Sequence, residues 1–393
     1  MKKVTRRNAL KTMMALAAGA SLPRRLGATP VGARADGRIP LVHITDLYHP
    51  PQDPDDHLDL ATIAALPEYD LRGVVLDVTK KFLMAKPDGW DIARDPGYVP
   101  VAQLAYLTGR AIPAAMGPTE PLAHPGDAAL DRPRTEQAGI GLLLDVLQRS
   151  DVRVTISLVG SGRVLAAAFN REPELLRAKV RAVLLNAGAT GGTKREWNVG
   201  LDPAAYIALW RSGLSIDWYP CATNRSAFEQ AHERGTYWKA AQSGLFRDLP
   251  AGLRAWFCYA FTGTQRGDII HALADSGRGA PWEQVLAGDR NMWSTASLVM
   301  GAGRVLAQMP EGWRFVPAGA ATGLELWPFR LDPIRATVDD EARVTWQPAA
   351  GTSPLRLFGR KPGTGYGLAM AAALNALLRG MPLGGLSGGA APP

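Results

Sequence analysis

Five carboxylates fall within one short stretch near the front of the chain, Asp46-Leu-Tyr-His-Pro-Pro-Gln-Asp53-Pro-Asp55-Asp56-His-Leu-Asp59. Like charges at close range raise one another's pKa, so such a cluster calls for a cation or a hydroxyl-rich ligand. A lone acid here would read as a helix cap. Asp46, Asp55 and Asp56 together on one loop read as a functional site. The run before them, Ile39 to Ile44, is apolar and strand-like, and Leu58 to Leu66 after them has helical character. The acids therefore sit on a strand-to-helix loop, which in an α/β sheet opens at the carboxyl ends of the strands, where ligands bind.

The elements that position this loop repeat along the chain. Strands are expected at Leu71 to Asp77, Ile112 to Gly117, Val152 to Val159, Val180 to Leu185 and Leu214 to Tyr219. Helices are expected over Val99 to Leu107 and Gly139 to Gln148, from Arg163 to Phe169, and from Pro203, capped by Asp202, to Trp210. Such alternation implies an α/β, Rossmann-like, mostly parallel sheet with helices on both faces. From Thr223 to Trp293 the pattern turns helical and aromatic, with Trp238, Trp256, Trp282 and Trp293 read as core or lid packing. Trp313 to Val316, Arg335 to Val338 and Arg343 to Trp346 alternate like a small antiparallel C-terminal addition, and a helix from Tyr366 to Leu378 closes the domain.

Charge and composition bound the partners. The first 35 residues hold eight basic residues and no acid, and 44 basic residues less those eight leaves 36, equal to the 36 acidic residues. The formal charge of +8 thus belongs to the leader, and a nucleic-acid-binding role loses its support. Thr5-Arg6-Arg7-Asn8-Ala9-Leu10-Lys11 and the apolar run to Leu22 look like a twin-arginine export signal, with cleavage at Ala33-Arg34-Ala35 or Leu26-Gly27-Ala28. The expectation is an exported protein, periplasmic or extracellular, with no membrane contact after signal removal. Residues 1–35 form the signal, 36–380 one domain, and 381–393 a disordered Gly/Ala/Pro tail. Cys221 and Cys258 are too few for a disulfide scaffold, though a single bridge stays open.

Several motifs fail on spacing. Gly160-Ser161-Gly162 lacks the nucleophile-elbow pattern, Gly188 to Lys194 lacks the Gly-Lys-Ser/Thr ending of a phosphate loop, and Asp53-Pro54-Asp55 lacks the glycine and distal glutamate of a helix-loop-helix calcium site.

A better constellation joins the acid loop to Gly160-Ser-Gly-Arg163-Val-Leu-Ala166, Asn186-Ala-Gly188, Glu196-Trp197-Asn198 and Asp202-Pro203. In this order the chain resembles the inosine-uridine-preferring nucleoside hydrolase family, over most of residues 38 to 380. The resemblance implies hydrolysis of the N-glycosidic bond of a ribonucleoside or related sugar compound, with a calcium ion that binds the ribose diol and a nucleophilic water. It implies Asp46 and Asp56 as calcium ligands and Arg163 as donor of a main-chain oxygen, and a carboxylate placed as Asp46 is can also take the proton from that water. Asp55, Glu196 and Asn198 would bind the sugar hydroxyls. Two departures matter. The insertion Leu47 to Pro54 is longer than the family's, so Asp53 is an alternative ligand to Asp46. The family's late His-Asp pair is absent, and the matching stretch reads Asp289-Arg-Asn291-Met-Trp293-Ser294. The rival reading is therefore a non-catalytic sugar- or nucleoside-binding protein. A homo-oligomer is left open.

Overall fold

The computed structural model describes residues 37–85, 93–192 and 195–384. The segment expected to be an export leader and the tail beyond Gly384 lie outside the described residues. Among the described residues no helix is long and apolar enough to cross a membrane.

Six strands alternate with helices: β1 (Ile39–Thr45), β2 (Tyr69–Leu76), β3 (Ala114–Met116), β4 (Val154–Val159), β5 (Val180–Asn186) and β6 (Ile216–Trp218). They lie parallel in the order β3-β2-β1-β4-β5-β6. β4 is buried at every residue and β1 at all but its first. That explains continuous apolar runs without alternation, since such strands are covered on both faces. Strand order reverses between β1 and β4, and the loops that leave their carboxyl ends diverge there to open a crevice.

The expected antiparallel C-terminal addition is present, divided between the edge of the main sheet and a small separate sheet. β12 (Phe329–Val338), β13 (Val344–Pro348) and β14 (Leu355–Arg360) extend the main sheet to nine strands. β14 inserts parallel to β6, and β12 runs antiparallel to both β14 and β13. A separate three-stranded antiparallel sheet is built from β9 (Arg304–Met309), β10 (Gly312–Pro317) and β11 (Glu325–Trp327). Within the segment expected to be helical, β7 (Trp238–Ala241) and β8 (Asp289–Met292) pair as a small antiparallel ribbon, beyond the reach of a local pattern because some fifty residues separate them.

The helix after β1 spans Asp55–Ala65, one turn earlier than its apolar pattern begins, and all but its first residue are buried. It packs against the C-terminal helix Tyr366–Arg379. Cys221 and Cys258 are both free and buried.

Candidate functional site

Loops from the carboxyl ends of β1, β4 and β5 surround a cavity of about 360 Å³. Asp46, Asp53, Asp55, Asp56 and Asp59 line it together with Gly160, Asn186, Glu196 and Asn198. The two sequence segments expected to converge do converge. The insertion Leu47 to Pro54 is firmly held. His49 exchanges both backbone hydrogen bonds with Asp95, at 2.8 and 2.9 Å, and its Nε2 lies 2.7 Å from the Thr264 carbonyl. Tyr48, at a φ of 43°, is pinned where its hydroxyl accepts from the Thr79 N–H at 2.7 Å.

Each acid has a distinct setting. Asp46 is buried and pushed up to about 7, chiefly by burial, with Asp77 and Asp53 adding to the rise. The turn after β4 passes close to it. A Cβ on Gly160, whose φ is 108°, would lie 3.1 Å from Asp46 Oδ1, so only glycine lets the chain follow this path. Asp77 secures that turn, as its Oδ2 accepts from Ser161 Oγ at 2.9 Å and Gly162 N–H at 2.8 Å. Asp55 and Asp56 are raised well above the ordinary range, first by burial and then by neighbouring carboxylates. Both occupy the first turn of the helix, where the positive end of its dipole offsets part of their charge. Asp56 Oδ1 also accepts from Thr45 Oγ1 at 2.7 Å.

Asp53 turns elsewhere. Its Oδ1 is 3.1 Å from Arg290 Nη1, and Arg290 is itself fixed by Gln242 Oε1 at 2.9 and 3.0 Å. Asp59, one turn beyond Asp55 and Asp56 on the same helix face, accepts from Ser294 Oγ and is pushed up to about 7 by burial. Its other oxygen is buried without a partner.

Glu196 lines the cavity, but its carboxylate serves the backbone. It caps the helix Trp197–Leu201 by accepting from Asn198 N–H at 3.1 Å and Val199 N–H at 3.3 Å, and it holds Gly188 N–H at 2.8 Å. Asn198 Nδ2 donates to the Asn186 carbonyl at 3.1 Å, tying the two loops together. Arg163 is absent from the cavity wall. Its guanidinium lies in the interior beside Asp202 at 3.0 Å.

Of the stretch that matches the missing His-Asp pair, Trp293 and Ser294 reach the cavity. Asp289 is exposed and paired with Lys239 at 2.7 Å, and Asn291 Oδ1 accepts from the Tyr237 hydroxyl at 2.8 Å. Sequence reasoning gave no individual role in the site to Asn186, Asp59, Ser294 or the aromatic rim. Asp59 carried a signal, since its spacing from Asp55 and Asp56 is helical. Asn186 carried only its place at a strand end; its amide donates to the Leu158 and Leu184 carbonyls, leaving Oδ1 buried without a partner. Trp197 and Phe228, 54% and 60% exposed, and Trp293, edge-on to Phe228 at 5.7 Å, form the rim. Exposed aromatics over a polar floor suit a flat, partly apolar ligand with a hydroxylated end.

Among the described residues no three His, Cys, Asp or Glu side chains close into a metal shell. The donor chemistry nevertheless fits a hard divalent cation. Asp46, Asp55 and Asp56 present carboxylate oxygens whose charge is poorly compensated, and calcium completes its shell with carbonyls and water.

The buried acids set a pH dependence. A carboxylate held above its unfolded pKa makes the folded protein bind more protons than the unfolded chain, so stability falls as pH rises toward the folded pKa and levels off above it. Below about 6.5 His43 and His57, kept neutral by burial, act in the opposite sense. Between about pH 6.5 and 8 the acids act alone. With chelator present, the thermal unfolding midpoint is expected to decline over that interval; a rising midpoint would show that the acids are compensated within the fold.

No family model matches the chain, and no curated protein matches it. Solved structures do. A purine-preferring ribonucleoside hydrolase from Gardnerella vaginalis is 14% identical over 86% of this chain and 99% of its own, with a TM-score of 0.51. A plant nucleoside hydrolase is 14% identical over 86% and 98%, with a TM-score of 0.49. An inosine-uridine-preferring nucleoside hydrolase from Bacillus anthracis is 12% identical over 87% and 99%, with a TM-score of 0.47. At this identity the likeness is one of fold, and the chain has a nucleoside-hydrolase-like fold.

Proposed function

We propose that the chain is a hydrolase that cleaves the N-glycosidic bond of a ribonucleoside or a related sugar compound. The observation that carries this reading is the cavity at the β1/β4 crevice, where Asp46, Asp55 and Asp56 face Asn186 and Asn198 beneath an aromatic rim. In this proposal Asp46 and Asp56 would hold calcium, and Asp53 would join them only by leaving Arg290. Bound calcium would lower the pKa of a coordinated water.

The chain's own groups have separate tasks. Asp46, buried at the cavity beside the crevice, takes the proton from the attacking water. Asp55 accepts from the sugar hydroxyls, Asn198 offers its carbonyl oxygen, and Glu196 acts by fixing Asn198 in place. The carboxylates stabilise positive charge that develops on the sugar as the bond to the base breaks. Trp197, Phe228 and Trp293 flank the leaving group and exclude water.

Asn198→Ala tests the sugar site. It is expected to weaken ribose or nucleoside binding about ten- to a hundredfold in calorimetry while the fold persists, as for loss of a hydrogen bond to a charged or polar partner. Equal binding by the variant would place the pocket elsewhere. A panel of purine and pyrimidine nucleosides, assayed for released ribose, tests turnover. Binding without turnover would favour the non-catalytic reading, which the exclusion of Asp289 and Asn291 from the cavity supports. Export through Arg6-Arg7 belongs to the same proposal. Replacing both by Lys is expected to retain the protein in the cytoplasm in a fractionation experiment, and unchanged location would refute it.

A further inference from the structure

A second cavity, about 440 Å³, lies at the opposite end of the sheet from the acids. Ala65 and Pro67, just before β2, and Arg110, before β3, form one side; β10 and the C-terminal helix form the other. Three arginines share its wall, Arg110, Arg304 and Arg314, against an apolar surface that includes Phe315, Ala373 and Leu377. Backbone carbonyls hold each guanidinium: Arg110 donates to Ala64 at 3.0 Å, Arg304 to Phe315 at 2.8 Å and Arg314 to Trp313 at 2.8 Å.

Arg304 also pairs with Glu68 at 2.8 Å, whereas among the described residues Arg110 and Arg314 have no carboxylate within ion-pair distance. Three cations and a single carboxylate partner share this half-buried cavity, which gives it a net positive wall toward an anion. Arginine offers paired donors suited to planar or tetrahedral oxyanions, and the volume is within the range of roughly 300–1,000 Å³ found for small-molecule sites.

We propose that this cavity binds a small amphipathic anion, a phosphate monoester or carboxylate on an apolar body, with the oxyanion between Arg110 and Arg314 and the apolar body against Phe315 and Leu377. The site is separate from the candidate sugar site and does not depend on it. Calorimetry with phenyl phosphate on the full-length protein provides the test, with inorganic phosphate and phenol as comparisons. Phenyl phosphate is expected to bind more tightly than either, and Arg314→Gln and Arg110→Gln are each expected to cut its affinity about tenfold or more. Arg110 is exposed, so its replacement keeps the test sound even if Arg314→Gln perturbs the sheet. Asn198→Ala is expected to leave this binding unchanged. Absence of phenyl phosphate binding, equal affinity for inorganic phosphate, indifference to both arginine replacements, or loss in Asn198→Ala would each overturn the proposal.

Discussion

Asp46→Asn is expected to lower kcat/KM for a turned-over nucleoside by about a hundred- to ten-thousandfold, the usual range for loss of a positioned general base. The same change should leave the fold at least as stable. Asp46 is buried, and its pKa is raised because burial and the neighbouring Asp77 and Asp53 disfavour the charged form. A neutral side chain of the same shape removes that penalty. Activity down with the unfolding midpoint unchanged or up is the signature of a residue retained for chemistry at a cost in stability. Unchanged kcat/KM would remove Asp46 from the mechanism, and a lowered midpoint would make it a structural acid.

Asp202→Ala is expected to cost about 3–5 kcal/mol in urea denaturation, because it strands a buried guanidinium. Arg163 and Asp202 are both 0% exposed in their side chains. Arg163 also donates to the carbonyls of Val78 at 3.2 Å, Pro118 at 3.1 Å and Leu201 at 3.3 Å. Asp202 in turn accepts from Ala205 N–H at 2.9 Å, capping the helix Pro203–Arg211, and from Leu122 N–H at 2.8 Å. One ion pair thus joins the segments that follow β2, β3, β4 and β5. Replacing the pair with Arg163→Met and Asp202→Leu should cost less than Asp202→Ala alone, since no charge is then left unpaired. A single replacement that is neutral would show that water reaches the pair.

Much of this architecture was legible in the chain. β1, β4 and β5 were visible as short apolar runs, and the helix from Pro203 was visible from its Asp-Pro start, because these signals act within a few residues. β14 was overlooked. Its Leu-Arg-Leu-Phe-Gly-Arg sequence lacks a clear run, and its strand character comes from pairing with β6 and β12, which lie far from it in sequence. The sheet β9 to β11 was only partly seen for the same reason.

The sequence by itself determined that a cluster of acids leaves the first strand at the carboxyl edge of a parallel sheet, and that Glu196-Trp197-Asn198 arrives at the same edge. The alternation of strand-like and helix-like runs along the chain suffices for that. Only the tertiary structure decided what each acid does there. Asp53 is drawn to Arg290 from β8, Asp59 takes the hydroxyl of Ser294, and Glu196 is consumed by three backbone N–H groups. Arg163, expected at the metal through its backbone, carries its side chain into a buried pair with Asp202. These outcomes depend on which distant groups the packed core brings within hydrogen-bond reach. Burial then makes every unpaired polar atom costly, so each side chain settles by partners that local sequence does not encode.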